Sequence, residues 1–201
     1  MPDTRPAPPP DKGAYCDAAA GHPWHGPYHD REYGFPLRGD DALFERLMLE
    51  INQAGLSWLT ILKKREGFRR AYDGFSVERV AAYGDADRAR LMADAGIIRN
   101  RLKVNAAIEN ARRILALRES HGGFAEWIDA HHPLTLDEWK RVFKRTFTFT
   151  GGEIVNELLT STGWLPGAHR ATCPAHQAAI EAGAPWGRGG RAAAGRTPAA
   201  T

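Results

Sequence analysis

Apolar residues recur along much of the chain with the spacing of an amphipathic α-helix. In the segment from residue 40 to residue 54 they stand three or four positions apart and therefore share one helical face. Asp40 or Asp41 can cap this helix, and Gly55 interrupts the pattern. The apolar stripe consists of Leu43, Leu47, Ile51 and Ala54.

Four further helices are predicted between residues 57 and 117, each opened by a residue typical of a helix N-cap. The third should end at Gly96 in a left-handed C-cap, and the fourth is long, with an unbroken apolar stripe. Shorter helical patterns follow at residues 124–128 and 153–160, and residues 136–145 alternate apolar with basic residues. The four N-cap positions are Ser57, Ser76, Asp85 or Asp87, and Asn100.

Strand signals are nearly absent and no internal repeat is found, so we predict an all-α protein. Residues 15–180 should form a single domain, in which residues 15–39 are an irregular region rich in Gly, Pro and His. We expect residues 1–14, which are rich in Pro, and residues 181–201, which are rich in Gly, Ala and Arg, to be disordered tails.

Composition and charge bear on whether the protein is a membrane protein, a secreted protein or a nucleic-acid-binding protein. No apolar run has transmembrane length, and the N-terminus lacks the apolar core of a secretory signal, so we expect a cytoplasmic protein without a membrane partner. The net charge of +3 is matched by three arginines in the C-terminal tail, which leaves the body neutral. Net charge therefore gives only weak support for nucleic-acid binding.

One acidic residue, Glu50, lies within an apolar run. Gln53 follows at i+3 on the same helical face, and Trp58 comes just after the Gly-Leu-Ser corner. A carboxylate, an amide and an indole that converge in this way would suit a flat polar ligand. Alternatively, Glu50 marks the solvent boundary of an ordinary helix.

The turn at residues 95–101 has apolar residues at its centre and basic residues on its far side. Turn amides and a helix N-terminus suit phosphate, so the turn could clamp a DNA backbone without reading its sequence. The alternative is a simple helical hairpin. The residues of the predicted clamp are Gly96, Ile97, Arg99, Arg101 and Lys103.

The two ends of the predicted domain together carry two thiols and two imidazoles that could hold zinc. They are Cys16, His29, His169 and Cys173. His22, His25 and His176 are competing ligands, and the alternative is buried cysteines with surface histidines.

Three motifs resemble the DNA-3-methyladenine glycosylase I family. They are Tyr-His-Asp-Arg-Glu-Tyr-Gly at residues 28–34, Leu-Glu-x-x-Gln-Ala-Gly-Leu-Ser-Trp with Thr-Ile-Leu-Lys-Lys-Arg over residues 49–65, and Asp-Ala-Gly-Ile-Ile-Arg-Asn at residues 94–100. The resemblance keeps its order from about Cys16 to Cys173.

The resemblance implies a helix-hairpin-helix glycosylase fold, with a structural zinc site that joins the N- and C-terminal segments. It assigns zinc to Cys16, His29, His169 and Cys173. It makes Glu50 the catalytic, base-recognising acid, and the base-binding residues are Tyr28, Tyr33, Glu50 and Trp58. The residues assigned to DNA contact are Gln53, Leu56, Gly96, Ile97, Arg99, Arg101 and Lys103.

The implied activity is hydrolysis of the N-glycosidic bond of 3-methyladenine in alkylated double-stranded DNA, by a monomeric enzyme that flips the base and associates with the nucleoid when bound to DNA. Residues 96–128 contain no Asp, which agrees with an enzyme without lyase activity. Tyr33 and Ile51 stand where the family commonly has Trp and Gly, which puts the lesion range in question. The alternatives are a damage-binding protein that does not cut and a binder of free alkylpurines.

Overall fold

The fold was obtained as a computed structural model, which describes residues 12–188. The described chain forms eleven α-helices and two short 3₁₀ helices and contains no strand, which confirms the all-α prediction. The α-helices are α1 Lys12–Ala19, α2 His25–Arg31, α3 Asp40–Gln53, α4 Trp58–Ala71, α5 Val77–Ala81, α6 Asp85–Ala93, α7 Arg101–His121, α8 Phe124–His131, α9 Leu136–Thr146, α10 Gly152–Ser161 and α11 Pro174–Glu181. The 3₁₀ helices are Asp73–Phe75 and Pro185–Arg188.

Helices α3 and α7 form the centre of the molecule. Helix α3 packs against α4, α7, α8 and α10, and α7 packs against α5, α6 and α8. Their apolar stripes meet in one large core, where Leu43, Leu47 and Ile51 are fully buried, as the periodicity predicts. No helix of the described residues combines the length and the apolar composition that a membrane span requires.

Three of the predicted N-caps are confirmed, and those at α3 and α6 are wrong. Helix α6 is capped by Gly84, whose amide donates to the side chain of Asp87 at 3.1 Å. The side chains of Ser57, Ser76 and Asn100 accept hydrogen bonds from the first turns of their helices. Helix α3 instead begins after Gly39, and Asp40 accepts a hydrogen bond from the amide of Phe124 at 2.7 Å. The carboxylate of Asp40 thus serves the start of α8 rather than its own helix.

Gly96 does not adopt the predicted left-handed conformation, and α6 already ends at Ala93. The turn packs closely against α4 and runs directly over Gly67, where a side chain would not fit. A Cβ atom on Gly67 would lie 2.5 Å from the carbonyl oxygen of Gly96. The turn is therefore pressed against α4, to which Lys64 also ties it through a 2.9 Å hydrogen bond to the carbonyl of Ala95.

Both ends of the described part of the chain contain more helix than predicted. The expected irregular region contains α1 and α2, and the region expected to be a disordered tail includes the end of α11 and a 3₁₀ helix. Ala184 is fully buried and the amide of Trp186 donates to the carbonyl of Gly163 at 3.1 Å, which fastens this segment to the core. The remaining parts of the predicted tails, residues 1–11 and 189–201, lie outside the described residues.

Lys103 is buried, which contradicts its predicted place on a DNA-facing surface. Its side chain is 5% exposed, and its ammonium group donates to the carbonyls of Asn52 and Ala54 at 2.9 Å each. These carbonyls belong to the C-terminal end of α3, where the helix leaves its last acceptors unpaired and where positive charge is favourable. Lys103 therefore joins α7 to the end of α3.

We expect Lys103→Met to destabilise the protein by about 2–3 kcal/mol, because a buried carbonyl, that of Asn52, and a half-buried one, that of Ala54, lose a charged donor. Urea unfolding measures this change. Arg101→Met is the control, since Arg101 is exposed on the same helix, and it should change stability by less than about 0.5 kcal/mol. Equal effects of the two substitutions would contradict the structural role of Lys103.

Candidate functional site

Glu50 lies in the interior, on the side of α3 that faces α10. Only 4% of the residue is exposed, and Ser161 at the end of α10 donates a 3.5 Å hydrogen bond to its carboxylate. The alternative of a solvent-boundary residue is therefore excluded. A buried carboxylate with one long hydrogen bond retains acceptor capacity for a ligand.

Aromatic rings gather on the same side of the molecule. The Tyr28 ring lies 5.7 Å from that of Tyr33 and 5.2 Å from that of Trp58, between ring centroids. Tyr15, which sequence reasoning missed, packs edge-on against Tyr33 at 5.4 Å. The indole N–H of Trp58 is buried and has no acceptor among the described residues. Such rings offer flat faces for a planar ligand.

Arg46 is a second charged residue near Glu50, and sequence reasoning missed it. The residue is 3% exposed. It lies one turn before Glu50 on α3, a spacing that could have signalled a shared face. Its guanidinium donates to the hydroxyl of Tyr28 at 3.1 Å, to Glu32 at 3.2 Å and to the carbonyl of Ser161 at 3.3 Å. These bonds fix Tyr28 and join α2, α3 and α10.

Glu157, on α10, is the third missed residue. Its carboxylate accepts a 3.0 Å hydrogen bond from the hydroxyl of Tyr33, and the residue is half-buried. Ser161 follows four positions later on the same helix face. The sequence signal for Glu157 was therefore its position one helical turn before Ser161, which contacts Glu50.

The surroundings of Glu50 disfavour its ionised form. Burial, followed by the negative charge of Glu157, raises the pKa of Glu50 to about 8, although Arg46 and the Ser161 hydroxyl oppose the shift. Burial also raises the pKa of Tyr28 and Tyr33, so both hydroxyls stay protonated at neutral pH. A positively charged ligand would reverse the shift at Glu50.

Gln53 and Leu56 lie together in the turn between α3 and α4. The Gln53 side-chain amide donates to the carbonyl of Leu56 at 3.1 Å, and the amide of Leu56 donates to the carbonyl of Gln53 at 2.7 Å. Gly55 between them has a φ of 85°, which favours glycine. The turn holds Leu56 at the surface, with 38% of the residue exposed.

The turn at residues 95–101 presents fewer contacts to a ligand than predicted. Arg99 and Arg101 are exposed, whereas Ile97 is 3% exposed and packs in the core. The amide of Gly96 donates to the side chain of Asp94 at 2.7 Å. The amides that open α7 are bonded to Asn100. The two arginines are therefore the side chains of this set that face solvent.

The four predicted metal ligands come together in one buried group. Ligand atoms of Cys16, His29, His169 and Cys173 all lie within 4.8 Å of one another. The Nε2 atom of His29 is 3.1 Å from Nδ1 of His169 and 3.8 Å from Sγ of Cys173. The group joins α1 and α2 to the segment before α11.

The outer contacts of this group also fit a metal ion. The other ring nitrogen of His29 is 2.7 Å from the carboxylate of Asp30, and that of His169 is 2.7 Å from the carbonyl of Tyr33. Acceptors at these positions orient metal-binding imidazoles in many proteins. The competing histidines take no part in the group, and His22 instead accepts hydrogen bonds from the amides of Trp24 and His25.

Three features thus describe the chain: an all-helical fold, a buried carboxylate near aromatic rings, and a cluster of two cysteines and two histidines. The family described as Methyladenine glycosylase matches residues 18–141. DNA-3-methyladenine glycosylase 1 of Escherichia coli K12 is 36% identical over 167 residues, which cover 74% of this chain and 89% of the relative. DNA-3-methyladenine glycosylase of Haemophilus influenzae is 34% identical over 166 residues, 73% of this chain and 89% of the relative.

Solved structures agree with these matches. A Tyr-to-Phe variant of 3-methyladenine DNA glycosylase I in complex with 3-methyladenine superposes with a TM-score of 0.71 at 29% identity, covering 80% of this chain and 96% of that chain. A Glu-to-Gln variant from Staphylococcus aureus gives a TM-score of 0.73 at 30% identity, with the same coverage. The fold is thus that of a DNA glycosylase, and the chain belongs to the methyladenine glycosylase family.

The pKa of Glu50 predicts how stability depends on pH. Since the native pKa lies near 8, above the ordinary 4.5, the contribution of Glu50 to stability is fully present below about pH 4.5 and is lost as the pH rises through about 8. Glu50→Gln has no such dependence. We therefore expect the variant to gain stability relative to wild type between about pH 5 and 8, by a few kcal/mol in order of magnitude.

Urea unfolding of both proteins across this pH range provides the measurement. Glu153→Gln, an exposed position on α10, is the matched control and should show no pH-dependent difference from wild type. A constant difference between Glu50→Gln and wild type at every pH would contradict the raised pKa.

Proposed function

We propose that this protein is a DNA repair glycosylase that hydrolyses the N-glycosidic bond of 3-methyladenine in alkylated DNA. The observation that carries the proposal is the buried carboxylate of Glu50 beside the rings of Tyr28, Tyr33 and Trp58. Family membership and the 3-methyladenine complex of a structural relative support it.

The pocket suits a cationic purine. Methylation at N3 makes adenine in DNA positively charged, and a charged aromatic ring stacks favourably on Trp58 or Tyr28, a contact worth about 0.5–2 kcal/mol. The edge of the base can hydrogen-bond to the carboxylate of Glu50, roughly twice as strongly as to a neutral acceptor. The base cation in turn favours the ionised form of Glu50.

The cationic base is already a good leaving group. When the glycosidic bond breaks, its electron pair passes to the base, which becomes neutral, and water adds to the sugar carbon and loses a proton. The enzyme therefore needs shape and negative charge more than a strong acid. Helix α7, which follows the turn, contains no Asp, in agreement with release of the base without cleavage of the strand.

The base must leave the helical stack before the pocket can bind it, at a cost of a few kcal/mol. Leu56 is suited to fill the resulting gap, because it is an exposed apolar side chain on a turn braced by Gln53. If residues 95–101 form the DNA-anchoring hairpin of the family, Arg99 and Arg101 at the start of α7 would contact phosphates. Lys103 and Ile97 are buried, so we no longer include them among the proposed DNA contacts.

The first test is release of free 3-methyladenine from methylated DNA under single-turnover conditions. Glu50→Gln should slow release by about 10²-fold, because a preorganised charge that stabilises the cation is lost. Glu153→Gln, exposed on α10, should match wild type. Abasic sites should form without strand breaks.

The outcome separates the candidate functions. Lesion-dependent DNA binding without base release would favour a non-catalytic damage-binding protein, and binding of the free base alone would favour an alkylpurine binder. Full activity of Glu50→Gln would contradict the role given to Glu50.

We also propose that the Cys16, His29, His169 and Cys173 group holds a structural Zn²⁺ ion. Two thiolates and two imidazoles complete a tetrahedral zinc site and leave no open position for a reacting water. The ion would fasten the N-terminal helices to the segment before α11. We further infer a monomer that works in the cytoplasm, on nucleoid DNA.

Cys173→Ala should lose the bound metal and a large part of the stability together, because metal-binding energy contributes to folding. Metal analysis of the purified protein and thermal unfolding measure both effects. His176→Ala is the control, since His176 was a competing ligand and lies against Trp186 instead, with ring centroids 5.1 Å apart. Retention of one equivalent of zinc by Cys173→Ala would overturn the assignment.

A further inference from the structure

The face of α10 that meets α3 carries two residues of the pocket. Ser161 donates to Glu50, and its carbonyl accepts hydrogen bonds from Arg46 and from the amide of Gly34. Glu157 lies one turn earlier on the same face, and Tyr33 donates to it. Glu157 is therefore held at the edge of the pocket by the ring that forms part of its wall.

The two carboxylates of the pocket influence each other. The charge of Glu157 contributes to the raised pKa of Glu50 and to that of Tyr33. The nearby cation Arg46 directs its hydrogen bonds to Tyr28, Glu32 and the backbone of Ser161. A positive ligand near both carboxylates would offset the repulsion that Glu157 exerts on the ionised form of Glu50.

We propose that Glu157 is a second carboxylate of the base pocket, which selects for the positive charge of the alkylated purine; this inference rests on the proposed function. A cation near both carboxylates favours the ionised form of Glu50 and gains attraction from each. A neutral purine of the same shape gains neither benefit. Glu157 is thus the residue that determines specificity. Tyr33 is a positioning residue, because its hydroxyl orients the Glu157 carboxylate.

The test compares two small ligands that differ in charge. One is 3,9-dimethyladeninium, which carries the fixed positive charge of the lesion, and the other is the neutral 3-deaza analogue of the same shape. Calorimetry with the full-length protein measures the affinity for both. Glu157→Gln keeps a hydrogen-bond acceptor for Tyr33 but removes the charge.

We expect Glu157→Gln to weaken binding of the cation by about tenfold while binding of the neutral analogue changes by less than about twofold. The matched control Glu153→Gln, on the exposed side of α10, should leave both affinities unchanged. Tyr33→Phe, which keeps the charge of Glu157 but removes its hydrogen bond, should retain most of the preference for the cation.

Equal weakening of both ligands by Glu157→Gln would show a purely structural role and overturn the proposal, as would unchanged binding of the cation. Retained binding of the neutral analogue shows at the same time that the variant is folded.

Release of 3-methyladenine from DNA by the wild type is measured in parallel. Its absence would overturn the proposed function, whereas the two affinities still decide the role of Glu157.

Discussion

A buried carboxylate costs free energy unless a positive or hydrogen-bonding partner faces it, and Glu50 imposes this requirement on the centre of the molecule. Helix α10 supplies the Ser161 hydroxyl, and Arg46 supplies positive charge one turn away on α3. These partners only partly offset the burial, since the pKa stays raised. The native state therefore keeps a buried carboxylate whose ionised form a further positive charge would favour.

Tyr33 connects this pocket to the cysteine and histidine group. Its carbonyl lies 2.7 Å from the ring nitrogen of His169, while its hydroxyl donates to Glu157. The backbone of one residue thus contacts an imidazole of the cysteine and histidine group, and its side chain contacts Glu157 beside the aromatic rings. The group at the two ends of the domain can in this way also fix the position of an aromatic ring.

The sequence was sufficient for most of the helices, because periodicity is a local signal. The resemblance, rather than the spacing alone, selected the four cysteines and histidines that lie together from the competing histidines. The sequence was insufficient where a side chain serves a distant element. Asp40 bonds to α8, and Lys103 to the end of α3. Both residue types are common at helix starts and on DNA-binding surfaces, and only the packing shows which partner they meet.

The surroundings of Glu50, which we propose to be the base pocket, were predicted in part for the same reason. Glu50, Tyr28 and Trp58 follow from motifs close together in the sequence, whereas Glu157 is more than a hundred positions from Glu50 and reaches it only through the packing of α10 on α3. Two departures from the family pattern now have a structural setting. Ile51 is fully buried in the core, and the Tyr33 hydroxyl has an acceptor in Glu157.

The charged groups behind the pocket alternate in sign across three elements. Arg46 bonds to Glu32, Glu32 to Arg65, Arg65 to Glu45, and Glu45 to Arg69. Because each member shares its partners, replacing one residue alone leaves a neighbour with excess charge. Change in this part of the protein, whether by evolution or by engineering for neutral lesions, should therefore proceed by compensating pairs, such as Arg46 together with Glu32, rather than by single steps.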